Sequence, residues 1–249
     1  MTPGKELAGK VALVTGGARN IGRAIARALA AGGASVMVNA RTSKAMAEET
    51  VKMIGSSAGF YMADVTNPEE VQELVKNTLS RFGRLDILVN NAAVRMETPF
   101  EQIELEEWRN VVATILDAAF ICSQACLPHL ARAGGGTIIN IGGLTGHRGA
   151  TGRAHVIAAK SGLAGFTKAL ALDLAPQHIT VNCVVPGTID SQRGLPGVPE
   201  RPAHRAAPPP IGRRGEPEEI AAMVRMLCGP DARYVTGQAI HVNGGGYMP

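Results

Sequence analysis

Apolar residues along this chain fall into short continuous runs separated by longer stretches with helical spacing. Val11-Ala12-Leu13-Val14 is one such run, and it leads through a Gly-rich turn into a helical pattern over Ile21–Ala31. The same alternation predicts strands at Ser35–Val38, Phe60–Ala63, Ile87–Val89, Thr137–Ile141, Thr180–Val184 and Ala239–Val242. Between them it predicts helices at Lys44–Ile54, Pro68–Phe82, a long one from Leu105 to Ala131, Ala154–Leu174 and Pro217–Leu227. Strands that are apolar throughout, with helical segments between them, belong to a parallel sheet covered on both faces. The prediction is therefore a single α/β domain over residues 1–249, a doubly wound sheet of seven parallel strands. In such a sheet the cleft lies at the carboxyl ends of the strands, where the loops after Val14, Asn90, Ile141 and Val185 meet.

The turn Thr15-Gly16-Gly17-Ala18-Arg19-Asn20-Ile21-Gly22 carries the first chemical signal. Glycines between a strand and a helix let backbone N–H groups approach a pyrophosphate, and the helix directs its positive dipole end at the same anion. Gly-rich turns also serve ordinary tight connections, so the turn alone is weak evidence.

Composition narrows the partners. Hydrophobic residues make up 45% of the 249, charged residues 18% and aromatics 4%, which leaves little to stack on bases. The net charge of +4 is spread along the chain rather than gathered into a tract, so nucleic acid is not an expected partner. The first ten residues have no apolar signal region, and no run of about 18 apolar residues occurs, so the expectation is a cytoplasmic protein without a membrane partner. Cys122, Cys126, Cys183 and Cys228 show neither disulfide nor metal spacing, and are expected as small core residues.

The spacing of the first turn, with Asn20 where a third glycine usually stands, resembles the nucleotide loop of the short-chain dehydrogenase/reductase family. Asn tolerates left-handed φ better than other non-Gly residues, so the loop can still form. Asp64-Val65, Asn90-Asn91-Ala92-Ala93, Pro186-Gly187-Thr188-Ile189, Gly212-Arg213-Arg214-Gly215-Glu216-Pro217-Glu218-Glu219, Thr236-Gly237-Gln238 and Val242-Asn243-Gly244-Gly245 resemble further motifs of that family, from about Leu7 to Gly245. The resemblance implies a Rossmann-like NAD(P)-binding domain. It places the cofactor on Gly16, Arg19, Asn20, Ile21, Gly22, Arg41, Asp64, Val65, Asn90, Ala92, Lys160, Pro186, Gly187 and Ile189, and it implies a homotetramer built on the helices Leu105–Ala131 and Ala154–Leu174. After the second strand, Val38-Asn39-Ala40-Arg41 lacks the acidic residue that binds the ribose of NAD, while Arg41 and Arg19 suit a 2′-phosphate. NADP(H) is favoured and NAD(H) remains open.

The family's carbonyl chemistry uses a Tyr as general acid, a Lys four residues later, a Ser on the substrate oxygen and an Asn in a proton relay. Lys160 in Ala158-Ala159-Lys160-Ser161-Gly162 matches the Lys, but the Tyr position is Val156, the Ser position Gly143 and the Asn position Ile115. General acid–base catalysis is typically worth about 10²–10⁴ in rate, so reduction by the usual route is expected to be severely impaired. Lys160, His147 and His155 remain as candidate catalytic groups. His155 lies about 100° round the helix from the face shared by Val156 and Lys160, which suits a surface or subunit-contact His. His147 follows the fifth strand, where substrate groups converge. The Pro-rich stretch 191–214, with Arg193, Arg201, His204 and Arg205, corresponds to the substrate lid and is expected as a mobile loop beside a small-molecule site, one that could take an anionic substrate. Two functions fit: an oxidoreductase acting on an activated carbonyl, imine or enone, or a non-redox protein that keeps the fold.

Overall fold

A computed structural model describes residues 4–191 and 208–249. Seven strands form one parallel sheet in the order β3-β2-β1-β4-β5-β6-β7. They are β1 Val11–Val14, β2 Ser35–Ala40, β3 Ala58–Met62, β4 Ile87–Asn90, β5 Gly136–Ile141, β6 Ile179–Pro186 and β7 Ala239–Val242. The helices are α1 Asn20–Ala31, α2 Lys44–Ile54, α3 Pro68–Phe82, α4 Leu105–Val112, α5 Ala118–Arg132, α6 Thr145–Arg148, α7 Ala154–Leu174 and α8 Pro217–Cys228. Strand order reverses between β1 and β4, and there the loop after each strand opens a cleft at the carboxyl edge.

Strand alternation sorts the core into two layers. Ala12, Val14, Ile87, Val89, Ile139 and Ile141 join Ile25 and Leu29 of α1 and Ile220 and Val224 of α8 on one face. Val11, Leu13, Leu88 and Ile138 face the other way, onto Val71 and Leu74 of α3, Cys122 and Cys126 of α5 and Leu174 of α7. Register holds these faces in phase: Ala12 lies opposite Val36 on one side and Ile87 on the other. Cys122, Cys126 and Cys183 are buried and Cys228 half-buried, none of them in a disulfide. Burial pushes the Cys122 thiol up to about 12, so it stays protonated and inert.

The single long helix expected from Leu105 to Ala131 is interrupted. Residues Ala113–Asp117 form a π turn between α4 and α5, with Thr114 and Ile115 buried in it. Such a turn inserts one residue and re-aims the side chains that follow it. Together, Leu105–Arg132 are long and apolar enough, by length and composition, to cross a membrane, although the segment holds no uninterrupted apolar run of that length. Half of its most apolar window is buried, and Cys126 and Leu130 are packed under the sheet.

Candidate active site

The first loop is built by close backbone approach. Gly16 has φ +60°, and a Cβ there would lie 3.0 Å from Ala92 Cα; a Cβ on Gly22 would lie 2.3 Å from the Gly16 oxygen and 2.6 Å from Asn91 Nδ2. Only glycine fits at 22 without displacing backbone. Asn20 takes φ +49°, the left-handed conformation expected of it. Asn91 pins the loop by donating from Nδ2 to the carbonyls of Thr15 (2.9 Å) and Gly16 (3.0 Å), and Thr15 Oγ1 accepts the N–H groups of Asn91 and Ala92. The N-terminus of α1 has no side-chain cap and no acidic residue in its first turn. The positive end of its dipole therefore has no acidic side chain of the first turn to offset it, which suits an anion. This cradle, filled by any Cβ, suits a dinucleotide pyrophosphate.

One residue of the expected cofactor set turns its side chain inward. Asn90 is buried and donates from Nδ2 to Asn140 Oδ1 (2.9 Å) and Ser123 Oγ (3.2 Å), tying β4 to β5 and α5. Asn39, in the stretch after the second strand, is also inward: its Oδ1 accepts from Gly16 N (3.3 Å) and its Nδ2 donates to Ala63 O (3.0 Å). Its side chain therefore helps to hold the loop. Arg41 is exposed, with Nη1 3.3 Å from Asp64 Oδ2. Partial burial works against the Asp64 charge, but hydrogen bonds from Thr66 and Arg41 hold its carboxyl below the usual range. Arg19 is exposed beside the loop, Ile21 half-buried and Val65 buried. Pro186 and Gly187 end β6, Gly187 donating to Val242 O (3.0 Å), and Ile189 is buried with a bridge to Gly215.

At the centre, Lys160 Nζ donates to the Ile141 carbonyl at 2.5 Å. Burial lowers its pKa from 10.5 to about 8, partly opposed by nearby Cys183. Val111, Ile115, Val156 and Ala159 form a buried apolar cluster, with Val94 and Met96 packed against it. A Cβ at Gly143 would make ordinary van der Waals contact with Lys160 Cγ and Cδ, at 3.9 and 4.0 Å, so a side chain can begin there without a clash.

The two candidate histidines have partners of their own. His147, in the short α6 that the sequence pattern did not reveal, stacks edge-on against His241 with ring centroids 4.6 Å apart, and its ring centroid is 5.9 Å from that of Tyr247. Burial, and then Lys168, lowers its pKa. His155 is not on the surface, as its place on the helix suggested, but fully buried, with Nε2 2.9 Å from Glu107 Oε1. The two side chains touch without the alignment of a hydrogen bond. The lid residues Arg193, Arg201, His204 and Arg205 lie outside the described residues. Among the described residues, no group of three His, Cys, Asp or Glu could hold a metal ion.

A pyrophosphate cradle at a strand-order reversal, with Lys160 on the helix after β5, defines the class: the chain belongs to the short-chain dehydrogenase/reductase family of oxidoreductases. Residues 16–247 match the family model described as enoyl-(acyl carrier protein) reductase. The 3-oxoacyl-[acyl-carrier-protein] reductase FabG of Vibrio cholerae is 41% identical over 243 residues, 98% of this chain and 99% of its own. The Escherichia coli protein of that name is 40% identical over 240 residues, 96% and 98% of the two chains. A double mutant of a Serratia marcescens short-chain dehydrogenase/reductase superposes with a TM-score of 0.90 at 36% identity, over 98% of this chain and all of that one.

Proposed function

We propose that this protein is an NADP(H)-dependent oxidoreductase whose acceptor needs no side-chain acid of the usual kind: an imine, a conjugated enone or a reactive dicarbonyl. The observation that carries the reading is the surroundings of Lys160, an amine bonded to Ile141 O with apolar Ile115 and Val156 where acid and relay groups would stand. The bound nicotinamide supplies or accepts a hydride. Gly16, Gly22 and the open end of α1 bind its pyrophosphate, Arg19 and Arg41 favour a 2′-phosphate, and Lys160 holds the ribose. A conjugated acceptor leaves negative charge on a distant oxygen, which the Lys160 ammonium can stabilise or protonate. A simple ketone needs a proton at the reacting oxygen itself, and Val156, four residues before Lys160, has no phenol to give it. Relatives are named for 3-oxoacyl thioesters and the family model for an enoyl thioester, and the second is a conjugated acceptor of the proposed kind.

The same packing of Ile115 and Val156 favours a second reading, a fold that binds nucleotide without redox turnover. Titration of NADPH and NADH, followed by NADPH consumption with a panel of enones, imines and dicarbonyls, separates the two. Binding with turnover supports the first; binding without turnover on any acceptor supports the second; binding of neither nucleotide overturns both. We also propose a homotetramer, on the strength of apolar side chains left exposed on the interhelix faces: Leu105 on α4, Phe120 on α5 and Leu172 on α7. A monomer in light scattering contradicts it.

A further inference from the structure

His155 is fully buried and has no part in the reading above, yet it stands beside Val156 at the start of the helix that carries Lys160. Its Nε2 is 2.9 Å from Glu107 Oε1, on α4. The same carboxylate oxygen accepts a hydrogen bond of 2.7 Å from Thr98 Oγ1. Thr98 N in turn donates to Gly152 O at 2.8 Å, and Arg153 Nη2 lies 3.4 Å from Glu97 Oε2. These contacts join three elements distant in sequence: the loop after β4, α4 and the first turn of α7. The loop 91–99 has no secondary structure of its own. It nevertheless lays Val94 and Met96 against the cluster of Ile115 and Val156.

We infer that His155 and Glu107 are positioning residues that latch the segment Val94–Thr98 onto the start of α7, so that Val94 and Met96 close the acceptor end of the cleft and restrict it to uncharged, apolar groups. The inference rests on the reading of this cleft as the acceptor site. A buried imidazole is a costly filler unless its contact does something, because its ring nitrogens give up water without gaining aligned partners. Here the contact converts a structureless loop into a fixed wall. An anion at this end would meet Val94, Met96, Ile115 and Val156 with no donor among their side chains.

Hydrogen exchange of the full chain with NADPH present tests the latch without needing turnover. His155→Ala and Glu107→Ala are each expected to speed exchange in the peptides covering 92–99 by about tenfold, with no further gain in the double variant, while 11–31 stays unchanged and NADPH affinity stays within about twofold. His155→Gln, which keeps a donor on a side chain of similar reach, is expected to restore part of the protection. Acceleration spread evenly over the chain, or additive effects of the two changes, would show ordinary core packing and overturn the latch. Where an apolar enone is turned over, the His155→Ala KM is expected to rise with kcat nearly constant, and an acidic enone to remain a poorer substrate. Equal use of the acidic enone overturns the apolar assignment. Failure of the nucleotide reading would appear separately, as absence of NADPH binding in the unaltered protein.

Discussion

Val156 and Lys160 share one face of α7, yet Val156 is packed into the apolar cluster of Ile115 while Lys160 turns its amine onto the Ile141 carbonyl at 2.5 Å. One face of the helix thus carries an apolar side chain and an amine four residues apart. Spacing of four residues guarantees the shared face, and the chemistry follows from which side chains stand there.

The Lys160 amine carries a pH dependence whose sign is fixed. Its pKa is lowered from 10.5 to about 8 by burial, so between those values the unfolded chain binds more protons than the folded one. Folding stability then rises with pH through this window, relative to a variant without the amine, and the burial cost is fully present below pH 8. Melting curves of the native protein and Lys160→Met at pH 7 and pH 10 are expected to show the native Tm gaining on the variant at the higher pH. A constant difference would mean that the amine is solvated.

Gly22→Ala is expected to damage the nucleotide loop. The added methyl would lie 2.3 Å from the Gly16 oxygen and 2.6 Å from Asn91 Nδ2, so the loop must move, at a cost of about 1–3 kcal/mol in stability. Thermal melting measures the first effect and NADPH titration the second, with weaker binding predicted even where the variant remains folded.

Arg41→Ala separates the two coenzymes. A hydrogen bond to a charged group contributes about 1.5–3 kcal/mol, so loss of a 2′-phosphate contact is expected to weaken NADPH by about tenfold or more and to leave NADH nearly unchanged. The ion pair of Arg41 with Asp64 must open or share the guanidinium when the phosphate arrives, and the preference for NADPH should therefore fall as salt is raised. Equal weakening of both coenzymes would place Arg41 at the adenine alone.

The sheet, its layers and the Gly-rich loop were legible because each rests on local pattern: apolar runs for strands, 3.6-residue spacing for helices, and Asn20 as the non-glycine residue of the turn with left-handed φ. Other features depend on contacts that local pattern does not encode. The π turn over Ala113–Asp117 breaks the long helix without any change of apolar spacing to mark it. Strand alternation determines which face Asn39 occupies, but only the folded loop supplies the Gly16 N–H that engages it. His155 lies on a helix with apolar residues almost all round, so its burial against Glu107 had no periodic signature. His147, His241 and Tyr247 meet only because β7 pairs beside β6 and brings the end of the chain back to α6.

Placing a hydroxyl and a phenol beside Lys160 tests whether the proposed cleft works without the usual acid. Gly143→Ser adds a Cβ in ordinary contact with Lys160 and no clash. Val156→Tyr puts a phenol on the Lys160 face and must push aside Met96 and Val94, with a stability loss of about 1–3 kcal/mol to be checked by melting. The measurement is NADPH-dependent reduction of a simple ketone by the folded double variant and by the native protein. The account predicts a measurable rate in the variant and none in the native protein. Ready ketone reduction by the native protein, or no gain in a folded variant that binds NADPH, would contradict it.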